Sequence, residues 1–119
     1  MPKLTVNGVE HEVESGQRLV LAIEGTGVNI GHRCGGNAKC TTCRVNFVSG
    51  EPETMTEAER DVLTEKGALG EVRLSCQIIC DHDMSVEPGF LLENEAEWDD
   101  TGPTPETSIT PDPVWIAKP

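Results

Sequence analysis

At 119 residues the chain has room for one domain with a modest core. Large apolar side chains are scarce, with two Phe, two Trp and no Tyr, so such a core gains from an internal staple such as a metal centre. A net charge of −12 excludes nucleic acid and anionic lipid as natural partners, because both need neutralising basic groups, and points to basic protein surfaces instead.

The opening "KLTVNGVEHEV" reads as a hairpin: two alternating runs around Asn7-Gly8, a pair suited to a type I′ turn. Leu4 and Val6 share its inner face, with Val9 and Val13 available to the core from the second strand. Ser15 and Gly16 break that strand. "RLVLAIEGTG" predicts a short helix from Gln17 to Glu24, with Leu19, Ala22 and Ile23 inward and Gly25 or Gly27 ending it. Residues 28–42 read as a Gly- and Cys-rich loop. "CRVNFVSG" alternates as a strand with Val45 and Phe47 on one face, and "SGEPE" turns the chain.

A second helix is predicted to begin at Thr56, where Glu59 stands three residues on, the spacing of a capping box. Val62 and Leu63 face its core; Glu57, Glu59, Asp61 and Glu65 dominate its solvent side. "EVRLSCQIIC" and "HDMSVEP" are further short strands. These elements predict an α+β domain over residues 1–92, built on a mixed sheet with a short helix and an acidic helix. Residues 93–119 differ, with five of the eight prolines and seven Asp/Glu against one Lys. They are expected to form an acidic tail, mobile or extended on the body, without regular elements. Trp98 and the "VWI" at 114–116 suggest anchors.

No apolar run nears the roughly 18–20 residues that span a bilayer, and the first strand lacks the apolar region of a signal peptide. A cytoplasmic, reducing location is therefore expected, without membrane insertion. There, five cysteines favour metal over disulfides, and an odd number weakens a disulfide framework further.

Their spacing is Cys34-x5-Cys40-x2-Cys43-x32-Cys76, with Cys80 four positions later. Zinc modules use two close pairs, and Cys40, Cys43, Cys76 and Cys80 form such a set. That arrangement leaves Cys34 idle in the most glycine-rich part of the loop. An iron–sulfur cluster makes fuller use of the pattern: three thiolates wrap one side and a fourth arrives from a distant strand. Gly35 and Gly36 let backbone N–H groups approach the negative sulfurs without a Cβ in the way. A Rieske centre needs paired ligand histidines, whereas His11, His32 and His82 are scattered. His32 is read as a solvent-facing loop residue.

The arrangement resembles the [2Fe–2S] ferredoxins of the plant-type superfamily. The five-residue first gap is similar to the adrenodoxin-like branch, as are "MTEAERDVL" at 55–63 and "RLSCQI" at 73–78. The resemblance runs from about Leu4 to Pro88 and implies a β-grasp fold holding one [2Fe–2S] cluster on Cys34, Cys40, Cys43 and Cys76. Cys76 is preferred to Cys80 because "LSCQ" matches the family's strand context, which leaves Cys80 as a small buried apolar residue. The implied function is one-electron transfer by a monomeric carrier, not an enzyme with turnover of its own. Its expected partners are basic-faced redox proteins, a ferredoxin reductase as donor and a monooxygenase or other acceptor. Glu57, Glu59 and Asp61 match the family's acidic docking helix, diluted by Arg60. A structural zinc module and a cluster-based redox sensor read out by the tail are the alternatives.

Overall fold

A computed structural model describes residues 2–32, 42–89, 91, 102, 104–110 and 113–118. The hairpin is formed as expected by β1 (Lys3–Val6) and β2 (Val9–Glu12), in register Val6 to Val9. Asn7 (φ 51°) and Gly8 (φ 84°) both take the left-handed conformation that a type I′ turn requires. Leu4 and Val6 are buried, but Val9 is 57% exposed. β2 lies at the edge of the sheet and overhangs the core, so Val13, just beyond its end, is the residue that turns inward.

Gln17 and Arg18 form a two-residue strand, β3, rather than the first turn of a helix. Helix α1 (Leu19–Gly25) follows and buries Leu19, Val20, Ala22 and Ile23. Its end is set by Thr26, whose hydroxyl donates to the Ile23 carbonyl at 2.6 Å, and by Gly27 at φ 96°. Ile30 is fully buried and bridges to Leu91.

β4 (Arg44–Ser49), β5 (Thr54–Thr56), α2 (Glu57–Glu65) and β6 (Arg73–Leu74) come next. The stretch expected as one strand, "EVRLSCQIIC", is divided. β6 ends at Leu74, a 3₁₀ turn occupies Ser75–Gln77, and β7 (Ile79–Cys80) resumes in a different sheet. β8 (Met84–Pro88) runs parallel to β1 and antiparallel to β4. The result is a five-stranded mixed sheet in the order β2-β1-β8-β4-β6, with a small two-stranded pair β3-β7. Leu4, Val6, Val45, Leu74, Met84 and Val86 meet α1 and the Val62 and Leu63 side of α2 in one core. Among the described residues no helix is long and apolar enough to cross a membrane.

The described part of the tail lies on the body, but it does contain a regular element. Residues 115–117 form β9 (Trp115–Ala117), paired antiparallel with β5. Residues 106–110 lie against the body, where Ile109 is buried. Trp115 is 46% exposed, so it covers little core. Trp98 lies outside the described residues.

Candidate metal centre

Cys43 and Cys76 are 32 residues apart in the intervening sequence, yet the ladder of β4 against β6 brings their chains side by side. Arg44 pairs with Leu74 and Val45 with Arg73, which sets Ser75 against Cys43. The Ser75 N–H donates to the Cys43 carbonyl at 3.2 Å, and its hydroxyl donates to the same oxygen at 2.7 Å. Both cysteines are buried, Cys43 at 2% exposure and Cys76 at 0%. Cys34 and Cys40 lie outside the described residues, as do Gly35, Gly36 and the rest of 33–41.

The turn that carries Cys76 is fixed on three sides. Upstream, Arg73 and Glu59 form a buried two-point pair, Nε to Oε2 at 2.7 Å and Nη2 to Oε1 at 3.2 Å. Arg73 also donates to the Pro52 and Thr54 carbonyls, and Leu74 N–H donates to Glu59 Oε2 at 2.9 Å. Burial pushes the Glu59 carboxyl above its ordinary range, against the opposing pull of Arg73 and the Leu74 N–H. Downstream, the Thr56 hydroxyl donates to Gln77 Oε1 at 2.7 Å while accepting from Glu59 N–H at 3.1 Å. With its oxygen so held, the Gln77 amide turns Nε2 toward Cys76 Sγ, at 3.6 Å. From α1's side, Arg18 Nε donates to the Cys76 carbonyl at 2.6 Å.

This donor set fits an iron–sulfur centre. Buried sulfur with an amide N–H aimed at it suits a thiolate, whose charge such a contact stabilises. Cys80 behaves oppositely. Burial, then Asp81 and Asp83, push its thiol up to about 11, so near neutral pH it keeps its proton. Its Sγ lies 3.9 Å from the His82 carbonyl, the contact of a thiol donor. Among the described residues no three Cys, His, Asp or Glu side chains are grouped to hold a metal ion.

Two expected surface residues are internal. Glu59 is fully buried, so it leaves the proposed docking set; its carboxylate faces Arg73 rather than solvent. Asp61 is exposed and Glu57 half-buried, with Arg60 reaching both, Glu57 at 3.9 Å and Asp61 at 3.0 Å. His32 is also buried rather than solvent-facing, bonded through Nε2 to Glu24, while its Nδ1 has no hydrogen-bond partner among the described residues. Arg18 and Gln77 are the functional residues that motif reading missed. Gln77 was within reach of it, because it directly follows Cys76 in "LSCQ".

Residues 4–81 match the family model of the 2Fe-2S iron–sulfur cluster binding domain. The chain belongs to that family. It is a 2Fe-2S ferredoxin-type domain with a β-grasp architecture, and the family's cofactor is one [2Fe–2S] cluster. The chain is 35% identical over 102 residues to one of the subunits of the Na(+)-translocating NADH-quinone reductase of Chlamydia pneumoniae, a match covering 83% of this chain and 23% of that one. It thus spans about a quarter of the length of such relatives. Among solved structures, the ISC-like [2Fe–2S] ferredoxin of Pseudomonas putida superposes with a TM-score of 0.61 at 26% identity, covering 81% of this chain and 100% of that one. The Amycolatopsis cytochrome P450 reductase matches with a TM-score of 0.59 at 25% identity, over 76% of this chain and 27% of that one.

Proposed function

We propose that this ferredoxin domain is a one-electron carrier of the adrenodoxin-like kind, passing electrons from a reductase to an oxygenase or other acceptor protein. Cys34, Cys40, Cys43 and Cys76 are its cluster ligands. The bound cluster supplies single-electron chemistry, gaining and losing one negative charge. The observation that carries the reading is the treatment of Cys76: buried sulfur, an N–H from Gln77 directed at it, and a backbone carbonyl held by Arg18. These residues exclude water from the thiolate and fix its direction, so little rearrangement accompanies a change of charge.

The carrier role is supported by the likeness to the Pseudomonas ferredoxin over that protein's entire chain. Docking is assigned to the half-buried Glu57 and the exposed Asp61. Glu57 directly follows Thr56, which contacts Gln77 next to Cys76, so a basic partner drawn to these acids arrives near the ligand turn. The domain is taken to act as a monomer in the cytoplasm. A second reading, favoured by the likeness to the quinone reductase subunits, makes it the cluster-bearing module of a larger electron-transfer enzyme.

The test is anaerobic reconstitution with iron and sulfide, followed by visible absorption and EPR after dithionite. A red-brown protein with a reduced-state EPR signal is expected. Cys76→Ser abolishes or greatly weakens that signal, and Cys80→Ser keeps it; the reverse result would move the fourth ligand to Cys80. Reduction by NADH with a separate flavoprotein reductase distinguishes the carrier from the module of a fused enzyme.

A further inference from the structure

Arg18 is fully buried at the end of a two-residue strand. Burying a guanidinium is costly, and the cost is tolerable when its N–H donors are satisfied. Among the described residues, carbonyls that accept from it come from two places far apart in sequence. Nε donates to Cys76; Nη1 donates to the Glu106 carbonyl at 2.9 Å and to that of Ser108 at 3.2 Å; Nη2 reaches the Thr110 carbonyl at 3.5 Å. Carbonyls 106, 108 and 110 converge on this one guanidinium because the chain bends at residues 107, 108 and 110. Gln77 repeats the arrangement, with Nε2 at 2.8 Å from the Thr110 carbonyl and 3.6 Å from Cys76 Sγ. Ile109 is buried between these contacts, 5% exposed.

We propose that Arg18 is a positioning residue that seats residues 106–110 against the turn carrying Cys76, making the C-terminal tail part of the enclosure of the [2Fe–2S] cluster. The proposal rests on Cys76 being a ligand. Each of two body side chains bonds to the tail and to Cys76 at once, so the tail cannot lift without releasing donors that also hold the ligand. Solvent access around a metal ligand governs how readily the metal is lost. A seated tail therefore prolongs the life of the cluster. The grip is on backbone carbonyls, so it needs a segment that bends around the guanidinium and the apolar anchor Ile109, rather than particular polar side chains.

The test uses the full-length, cluster-loaded chain with Arg18→Met, with Ile109→Asp, with both, and with Cys76→Ser. Amide hydrogen exchange at residues 106–110 reads tail seating. Bleaching of the visible bands by an iron chelator reads cluster lifetime, and visible circular dichroism reads the ligand geometry. Both single variants should loosen residues 106–110, alter the visible dichroism and speed bleaching by about tenfold. The double variant should bleach no faster than the quicker single one. The proposal is overturned if Ile109→Asp loosens the segment while bleaching stays at the wild-type rate, or if neither substitution loosens it. Should Arg18→Met fail to fold, Ile109→Asp decides, because it leaves every body residue intact. Retention of the cluster by Cys76→Ser would instead strike the ligand assignment.

Discussion

Glu59 stands where a capping box would send its carboxylate back to the start of the helix, and Thr56 does accept its N–H. The carboxylate turns instead to Arg73 and the Leu74 N–H, both of which position the strand leading to Cys76. Removing one charge of a buried pair strands the other, at about 3–5 kcal/mol. Glu59→Gln is therefore expected to lower unfolding stability by about that much in urea titration, while leaving the salt dependence of reduction by a partner unchanged. Glu59 was misread because it lies within a run of acids, between Glu57 and Asp61. The corrective signal was present: Glu59, Val62 and Leu63 stand at i, i+3 and i+4, one face of a helix, and all three are buried. The cysteines were legible because ligand chemistry is encoded in spacing. Arg18 was not, since its partners at 106–110 lie nearly ninety residues away.

Elements whose cause is local were readable in the same way. Asn7-Gly8 dictates a turn by its own backbone preferences, and Thr56 caps α2 from within one turn. β3, β7 and β9 have two or three residues each and exist because of a distant partner, so no local period announces them. Long-range constraint also fixes the turn after β4. Gly50 has φ 77°, and a Cβ there would fall 2.3 Å from the Asp83 carbonyl oxygen. Gly50→Ala should destabilise the fold by about 1–3 kcal/mol, read as a lowered denaturation midpoint. His82 ties the same turn by bonding the Gly50 carbonyl at 2.8 Å and Asp81 at 2.7 Å. Those bonds raise its pKa, the Gly50 contact most. A raised value in the folded state means the stabilisation is complete below the unfolded pKa of about 6.5 and fades as pH rises through the folded value. The wild type should thus lose stability relative to His82→Gln as pH rises above about 6.5. Identical pH profiles for the two proteins would deny the imidazolium that role.

Over the whole molecule, charge decides how partners approach. A net −12 repels acidic surfaces at long range, but steering to the correct spot depends on where exposed carboxylates lie. With Glu59 internal, α2 offers Glu57 and Asp61, and Arg60 bridges and partly neutralises them. Exposed pairs of this kind contribute little to stability, so substitutions here report on encounter rather than on folding. Glu57→Lys with Asp61→Lys should leave the denaturation midpoint and the visible spectrum nearly unchanged, yet slow reduction by a basic-faced reductase. The slowing should be several-fold at about 10 mM salt, where the screening length is about 30 Å, and should shrink strongly near 1 M, where it is about 3 Å. Arg60→Gln should act in the opposite sense, speeding reduction at low salt by removing the cation that occupies both acids. Stopped-flow reduction across that salt range checks both. Equal slowing of the double variant at every ionic strength would mean that the lysines obstruct contact sterically and that α2 does not steer by charge.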